Sequence, residues 1–232
     1  MSLRILGLIP ARGGSKGVQN KNIRTLLGST LVQRAYSSAQ ESGCFSKIVL
    51  STDCEIIAEH GKHIGISVPF IRPPSLASDE APMIGVVLHA LDSLLGFGES
   101  FDAVFLLQPT SPLRTAHQIR SAVELLKTAD SVCSVVPIPL THCPHYVMKI
   151  DESGLLNYFL EEGKKIGRRQ DVPQAYTRDG TIFLAREEVL RSTNSFYGPN
   201  CSPLILHPDE VLSIDSEMDW ARAESILREK NA

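Results

Sequence analysis

Short runs of consecutive apolar residues recur along the first half of the chain. Runs without alternating polar residues are typical of strands that helices cover on both faces, as in a parallel sheet. We predict strands at RILGLI (4–9), KIVLS (47–51), SVPFI (67–71), AVFLLQ (103–108) and SVCSVVPI (131–138). The pattern therefore indicates a buried central sheet.

Longer segments with the period of an amphipathic helix separate these runs. We predict helices over 30–43, 54–65, 82–95 and 115–128. The first two end at Gly43 and Gly65, and glycine is common just after a helix. Beyond position 180 we predict strands at 181–185 and 202–207, a short helix from Arg186, and a final helix from Ser216 to about Glu229. This alternation predicts an α/β fold whose open, mostly parallel twisted sheet is flanked by helices.

The alternation stops between residues 139 and 180. Prolines and the charged stretch EEGKKIGRRQD (161–171) interrupt it. We predict a hairpin-like arm inserted in a single domain of residues 1–232, with a solvated surface loop as the alternative. The same segment contains the apolar residues Leu155, Leu156, Tyr158, Phe159 and Leu160. Because exposed apolar surface usually marks an interface, we predict a homodimer with a two-fold contact through this arm.

The composition excludes several classes of protein. Of the 232 residues, 23 are basic and 26 acidic, and the net charge of −3 argues against binding nucleic acid by general neutralisation of phosphates. The five cysteines show no C-x-x-C spacing, which argues against a zinc cluster or a disulfide framework. The apolar run at the N-terminus is too short for a signal sequence or a membrane span. We expect a cytoplasmic protein without membrane or nucleic-acid partners.

The segment IPARGGSKGVQNKN (9–22), directly after the first predicted strand, concentrates glycines and cations. Glycines allow backbone N–H groups to crowd around a phosphate, and Arg12, Lys16 and Lys21 supply positive charge. In an open α/β sheet, ligands bind at the carboxyl ends of strands, where this loop lies. Its spacing is neither that of a P-loop nor G-x-G-x-x-G. We predict a phosphate-binding loop, with a flexible turn carrying solvated cations as the alternative.

A set of motifs along the chain resembles those of the CMP-sialic acid synthetases (acylneuraminate cytidylyltransferases). They are IPARGGSKG…NKN, STD (51–53), RPPSLASD (72–79), LLQPTSPLR (106–114), RRQDVPQAY (168–176) and SIDSEMDW (213–220). They occur in the order of that family and span nearly the whole chain. The resemblance implies a Rossmann-like nucleotidyltransferase fold. It also implies a reaction in which the 2-hydroxyl of a nonulosonic acid attacks the α-phosphorus of CTP and pyrophosphate leaves.

The resemblance also implies roles for individual residues. The cations that match catalytic, triphosphate-holding positions are Arg12, Lys16 and Lys21. The other positions matching nucleotide contacts are Ala11, Gly13, Gly14, Ser15, Asn22 and Arg72. The positions matching sugar contacts are Gln108, Arg168, Arg169, Tyr176, Phe196 and Tyr197, of which Arg168, Arg169 and Tyr176 belong to the arm. Asp215 matches a Mg²⁺ ligand, and one carboxylate suffices because water and phosphate oxygens complete the shell of that ion.

Three positions depart from the family pattern. Ser213 stands where many relatives have a further aspartate, and Asp179 stands where they usually have asparagine. Met83 falls near a position that is often a small hydroxylated residue in the family. Asp215 also precedes a predicted helix, where an acidic residue can serve as a cap. Two other functions stay open: CTP-dependent activation of another 2-keto sugar acid, such as 3-deoxy-manno-octulosonic acid, and nucleotide binding without catalysis.

Overall fold

The described part of the chain, residues 3–230 of a computed structural model, contains ten strands. They are β1 (Ile5–Pro10), β2 (Thr25–Leu26), β3 (Ser29–Thr30), β4 (Lys47–Ser51), β5 (Ala103–Leu106), β6 (Ser131–Pro137), β7 (Met148–Ile150), β8 (Leu156–Tyr158), β9 (Tyr176–Arg186) and β10 (Cys201–Ile205). Six of them form one sheet in the order β10-β6-β9-β5-β1-β4. Its neighbouring pairs are parallel except the two that include β9. The predicted open, mostly parallel sheet is confirmed.

Six α-helices accompany the strands in this part of the chain. They are α1 (Leu31–Ser42), α2 (Glu55–His63), α3 (Met83–Gly96), α4 (Ala116–Leu125), α5 (Glu187–Thr193) and α6 (Glu217–Lys230). Two of their starts follow from capping residues: the Thr30 side chain caps α1, and Thr115 forms a capping box with Gln118 at α4. Within residues 3–230, no helix combines the length and the apolar composition that a membrane span needs.

The helices cover both faces of the sheet, as continuous apolar strands require. Alternate residues of β1 point to opposite sides. Ile5 and Ile9 belong to the core formed with α1, α2 and α4, whereas Leu6 and Leu8 belong to the core formed with α3 and α5. Burying a side chain of this size stabilises the fold by about 1.5–3 kcal/mol. The sheet is therefore fixed between two helical layers, and its strand ends are left to form a site.

The strand predicted at 67–71 is wrong. Ser67 forms an isolated β-bridge with Val49 of β4, and the residues after it leave the sheet. Pro69 has no N–H group with which to continue the ladder. The chain then turns back toward the end of β4, where Arg72 N donates to Thr52 O at 2.8 Å. This turn brings Arg72 to the carboxyl end of the sheet.

The segment 139–180 leaves the sheet and contains a short antiparallel hairpin. β7 pairs with β8, and Met148 lies opposite Tyr158. Apolar side chains of the hairpin face solvent, with Ile150 73% and Leu155 65% exposed. The segment returns to the sheet through β9. The two-fold contact expected through this arm stays a prediction.

Candidate active site

The carboxyl ends of β1 and β5 border an open cavity of about 480 Å³. Eight predicted site residues line it: Arg12, Ser15, Lys16, Lys21, Asn22, Arg72, Gln108 and Asp215. The other lining residues are Pro10, Gly17, Met83, Pro109, Thr110 and Ser213. One cavity thus joins side chains from distant parts of the sequence, at the edge of the sheet where ligands of α/β proteins bind.

The loop after β1 is held in place by its backbone and by a buried amide. Ala11 N donates to Ser51 O at 2.9 Å, which extends the contact between β1 and β4. The buried Asn22 donates from Nδ2 to Arg12 O at 3.0 Å, so its side chain holds the loop itself. Gly17 approaches the loop before α6 so closely that an added Cβ would lie 1.9 Å from Asp215 O. These contacts fix the loop at the edge of the cavity.

Two of the three predicted cations share one carboxylate. Arg12 and Lys16 both pair with Asp79, and Arg12 Nη1 also donates to Ala77 O at 3.3 Å. Hydrogen bonds from Lys16 and from Arg12 lower the pKa of Asp79. Since one anion satisfies both cations, a phosphate oxygen in its place would meet the same two donors. Asp79 ends the motif RPPSLASD, but it was not among the predicted site residues.

Lys21 and Asp215 form the second charged group of the cavity. Lys21 Nζ donates to Ile214 O at 2.7 Å and to Asp215 Oδ1 at 3.3 Å. Ser213 Oγ donates to Asp215 Oδ2 at 2.9 Å. The Asp215 side chain is 72% exposed and lines the cavity. Ser213, which stands where many relatives have a further aspartate, therefore orients the Asp215 carboxylate.

Ser216 caps α6, and Asp219 in the first turn completes a capping box: Ser216 Oγ accepts from Asp219 N at 3.3 Å. Asp219 also binds the residues before the helix. Its Oδ2 accepts hydrogen bonds from Asp215 N at 3.1 Å, Ser216 N at 2.8 Å and Ser216 Oγ at 2.7 Å. These bonds, led by the one from the Ser216 hydroxyl, lower the pKa of Asp219. The Asp215 carboxylate is therefore free of the helix start. In residues 3–230, no group of three His, Cys, Asp or Glu side chains is arranged to hold a metal, so an ion at Asp215 would take its other ligands from substrate and water.

Arg72 is a buried cation with unused donors. Its Nη2 lies 3.6 Å from Asp53 Oδ1, and neither Nε nor Nη2 has a hydrogen-bond partner in the described chain. Burial lowers the pKa of Arg72, and the Asp53 charge partly offsets this shift. A buried donor without a partner costs about 1–3 kcal/mol. A ligand acceptor would remove that cost once the Arg72 side chain turned toward the cavity, because both nitrogens have almost no accessible surface.

Gln108, just after β5, forms the wall of the cavity next to β9. Its Oε1 lies 3.7 Å from the point where a Cβ on Gly180 would stand. The buried Arg114 donates to Gln108 O at 2.6 Å and to Thr181 O at 3.3 Å. Burial lowers the pKa of Arg114 to about 9, and the charge of Asp179 acts in the opposite direction. Arg114, which was not predicted, thus joins the two segments that form this wall.

The two aromatic residues predicted at the sugar pocket have different surroundings. Phe196 is 8% exposed and packs in the core against Phe183, with ring centroids 5.7 Å apart. The structure therefore places Phe196 in the core rather than at the cavity, because its ring fills space between the sheet, α3 and α5. Tyr197 is exposed, and Arg178 Nη1 donates to its hydroxyl at 3.1 Å.

The arm residues do not line the cavity within a single chain. Arg168 donates from Nε and Nη2 to the carboxylate of Asp171, at 2.9 and 3.2 Å. Arg169 and Tyr176 are exposed. Contact between these residues and a sugar requires a movement of the arm or a second subunit, so their role stays a prediction.

Comparison with known proteins identifies sequence relatives. A family model described as cytidylyltransferase matches residues 6–199. The CMP-N,N'-diacetyllegionaminic acid synthase of Legionella pneumophila is 38% identical over 97% of each chain. The N-acylneuraminate cytidylyltransferase of Escherichia coli is 32% identical over the whole chain, which spans 54% of that protein. A pseudaminic acid cytidylyltransferase of Campylobacter jejuni is 29% identical over 97% of each chain.

Solved structures share the fold at low sequence identity. A CMP:2-keto-3-deoxy-manno-octonic acid synthetase complexed with CTP has a TM-score of 0.74 over 98% of this chain and 99% of its own, at 13% identity. This likeness shows the nucleotidyltransferase fold alone. The family model spans most of the sequence, from β1 to the residues before β10, and includes the cations and Gln108 of the cavity. The chain therefore belongs to the cytidylyltransferase family.

Proposed function

We propose that this cytidylyltransferase is a CMP-nonulosonic acid synthase, which joins CMP from CTP to the anomeric 2-hydroxyl of a nine-carbon sugar acid and releases pyrophosphate. The observation that carries the proposal is the single cavity in which three loop cations face Asp215 and Gln108. Relatives named for legionaminic, neuraminic and pseudaminic acids supply the substrate class.

The cations bind the triphosphate of CTP. Arg12 and Lys16 exchange Asp79 for phosphate oxygens, and Lys21 adds a third positive charge beside Asp215. As the bond to the α-phosphorus breaks, negative charge builds on the leaving pyrophosphate. Cations already in position stabilise the transition state, where this charge develops, more strongly than they stabilise the ground state. This difference lowers the barrier. Transfer of this kind depends on positioning and neutralisation rather than on a covalent nucleophile.

Arg72 completes the nucleotide site. Its buried guanidinium lines the cavity with two donors that the chain leaves unpaired. Both nitrogens have almost no accessible surface, so Arg72 turns toward the nucleotide to bind one of its acceptor atoms. Arg72 therefore contributes to affinity for the nucleotide, whereas the loop cations act mainly on the changing charge of the phosphates.

Mg²⁺ is the cofactor in this proposal, and Asp215 is the residue that holds it. The donor set fits, because the ion needs only one or two protein carboxylates when phosphate oxygens are present. When bound, the ion supplies charge neutralisation and orientation of the triphosphate. Lys21 and Ser213 orient the Asp215 carboxylate through hydrogen bonds to its two oxygens.

The sugar site and the dimer are linked in the proposal. Gln108 contacts the sugar from the end of β5, where Arg114 fixes its backbone. The exposed apolar residues of the arm, including Ile150 and Leu155, pack against the same segment of a second copy. Arg169 and Tyr176, which are exposed and do not line the cavity of their own chain, then contact the sugar from the neighbouring subunit.

A cytoplasmic location is part of the same proposal. The five cysteines are all unpaired thiols. Free thiols are typical of proteins in reducing compartments.

Pyrophosphate release tests the proposed function. The protein is mixed with CTP, Mg²⁺ and, separately, neuraminic, legionaminic and pseudaminic acids, with ATP and UTP as nucleotide controls. We expect CTP-dependent release with at least one nine-carbon acid. Faster release with 3-deoxy-manno-octulosonic acid would assign the other 2-keto acid as substrate. Binding of CTP without release in any mixture would assign a nucleotide-binding protein without catalysis.

A further inference from the structure

Arg178, at the start of β9, is held in one orientation by an aromatic side chain. Its Nη1 donates to the Tyr197 hydroxyl at 3.1 Å, and its guanidinium carbon lies 5.7 Å from the centre of the tyrosine ring. A hydrogen bond and a cation–π contact from the same partner restrict a side chain that would otherwise be flexible. An exposed arginine is thereby given a defined position.

The Tyr197 hydroxyl also lies near a buried thiol, and it accepts from Arg178 because a guanidinium has donors only. The Cys133 Sγ lies 3.7 Å from the Tyr197 hydroxyl. Burial raises the pKa of the Cys133 thiol and of the Tyr197 phenol, so both keep their protons at neutral pH. Tyr197 therefore accepts the bond from Arg178 with its oxygen, and its own proton is available to Cys133.

Most of the binding capacity of Arg178 is unused. A guanidinium has five N–H donors, and within residues 3–230 the one partner of Arg178 is Tyr197. No acidic side chain of the described chain pairs with it. Arg168 differs, because it already binds Asp171 through two nitrogens. Tyr197 thus holds the Arg178 side chain in position, and no acidic side chain of the described chain neutralises its positive charge.

The position of Arg178 places this charge beside the Gln108 wall. β9 runs opposite to the parallel strands, so it begins at the edge of the sheet where they end. Gly180, two residues after Arg178, lies next to Gln108, whose Oε1 would be 3.7 Å from an added Cβ, and its carbonyl oxygen accepts a hydrogen bond from Ser111 Oγ at 3.1 Å. At about 3.3 Å per residue, the Cα atoms of Arg178 and Gly180 lie within roughly 7 Å. A ligand that touches Gln108 is therefore within reach of the Arg178 side chain.

We propose that Arg178, positioned by Tyr197, binds the carboxylate of the sugar acid. The inference rests on the proposed function, in which the substrate carries a carboxylate on the carbon next to its reacting centre. A carboxylate fits the planar fork of a guanidinium through two parallel hydrogen bonds. Tyr197 is a positioning residue in this arrangement, because it holds the fork without using the donors on the opposite side.

Kinetics with the acid and with its methyl ester test the proposal. In Arg178→Ala we expect KM for the acid to rise about 10- to 100-fold, the loss typical of one charged hydrogen-bonded contact. KM for CTP should stay unchanged. The wild-type protein should prefer the acid to the ester by a similar factor, whereas Arg178→Ala should treat the two alike. Arg178→Lys, which keeps the charge without the fork, should recover part of the loss.

Tyr197→Phe is the matched test of positioning, because it keeps the ring and removes the hydroxyl. It should raise KM for the acid about threefold to tenfold, with KM for CTP and the melting temperature unchanged. An active wild type whose Arg178→Ala variant keeps its KM for the acid would overturn the inference alone. An equal rise in KM for the acid and for its ester in Arg178→Ala would overturn it too, since Arg178 would then support the sugar site without contacting the carboxylate. A wild type that uses none of the acids would overturn the proposed function, and this inference with it.

Discussion

Replacing Gly17 by alanine tests how closely the phosphate loop must approach the loop before α6. The added Cβ would lie 1.9 Å from Asp215 O and 3.1 Å from its carbonyl carbon. A carbon and a carbonyl oxygen normally stay at least about 3.3 Å apart. Because both neighbours belong to the backbone, no side-chain rotation can make room. The two loops must separate by more than about 1 Å.

This separation moves Lys16 and Lys21, on either side of Gly17, relative to Asp215. A displacement of about 1 Å in an active site can cost about 100-fold in rate. We therefore expect kcat/KM for CTP in Gly17→Ala to fall about 100-fold, equivalent to about 2.7 kcal/mol of transition-state stabilisation. Pyrophosphate release over a range of CTP concentrations measures the change, and thermal unfolding checks that the fold persists.

Gly14 provides the matched control, because it lies in the same loop and an added Cβ there meets no atom within 4 Å. Gly14→Ala should keep kcat/KM within about threefold of the wild type, because alanine keeps the backbone N–H expected to contact the nucleotide and the open space imposes no displacement. Native activity in Gly17→Ala would refute the reasoning about loop separation. An equal loss in both variants would also refute it, because loop flexibility would then be the cause.

Three other predictions concern the charges and the arm. Asp79→Asn should lower KM for CTP, because Arg12 and Lys16 then give up no carboxylate. An unchanged KM in saturation kinetics would contradict this. Since the pKa of Asp79 is lowered, its ion pairs should be complete above the ordinary carboxyl range and weaken only as pH falls through the lowered value, as a carboxyl NMR titration can follow. Asp215→Asn should abolish Mg²⁺-dependent release while the melting temperature stays near that of the wild type; full activity would mean that another residue holds the ion. Leu155→Glu should turn the expected dimer into a monomer in sedimentation experiments, whereas a monomeric wild type would end that expectation.

The sheet was predictable because its strands are buried on both faces and show this as unbroken apolar runs. The run at 67–71 has the same composition, but Pro69 cannot donate to a ladder, and the segment carries Arg72 to the site instead. The direction of β9 was not predictable from its own residues. It is antiparallel because the arm leaves and re-enters at the same edge of the sheet, a relation that the local pattern does not contain.

Candidate residues that are close in sequence were predicted together and do line one cavity, as in the loop after β1. Asp79 pairs with Arg12 across 67 positions, and Arg114 reaches Thr181 across 67 positions. No local pattern indicates such pairs, because the fold alone brings them together. Phe196 shows a different difficulty. The sequence around an aromatic residue near a site does not indicate whether its ring faces a ligand or packs in the core.

The cations of the site form a buried group and a more exposed group. In the proposed reaction, the buried group selects the substrates and the more exposed group acts on the phosphates. Arg72 and Arg114 are 3% and 5% exposed. Arg72 belongs to the proposed nucleotide site, and Arg114 holds the wall formed by Gln108. Moving Arg114 would leave the carbonyl oxygens of Gln108 and Thr181 without that donor, so the wall formed by Gln108 is preorganised. Lys16 is exposed and Arg12 is half-buried, and their ion pairs with Asp79 lie at the surface, where such pairs are weak. A phosphate can therefore replace Asp79 easily, and the same cations can follow the charge as triphosphate becomes pyrophosphate. In the proposed reaction, the buried walls select the two substrates, while the more exposed side chains of the fixed loop act on the phosphates.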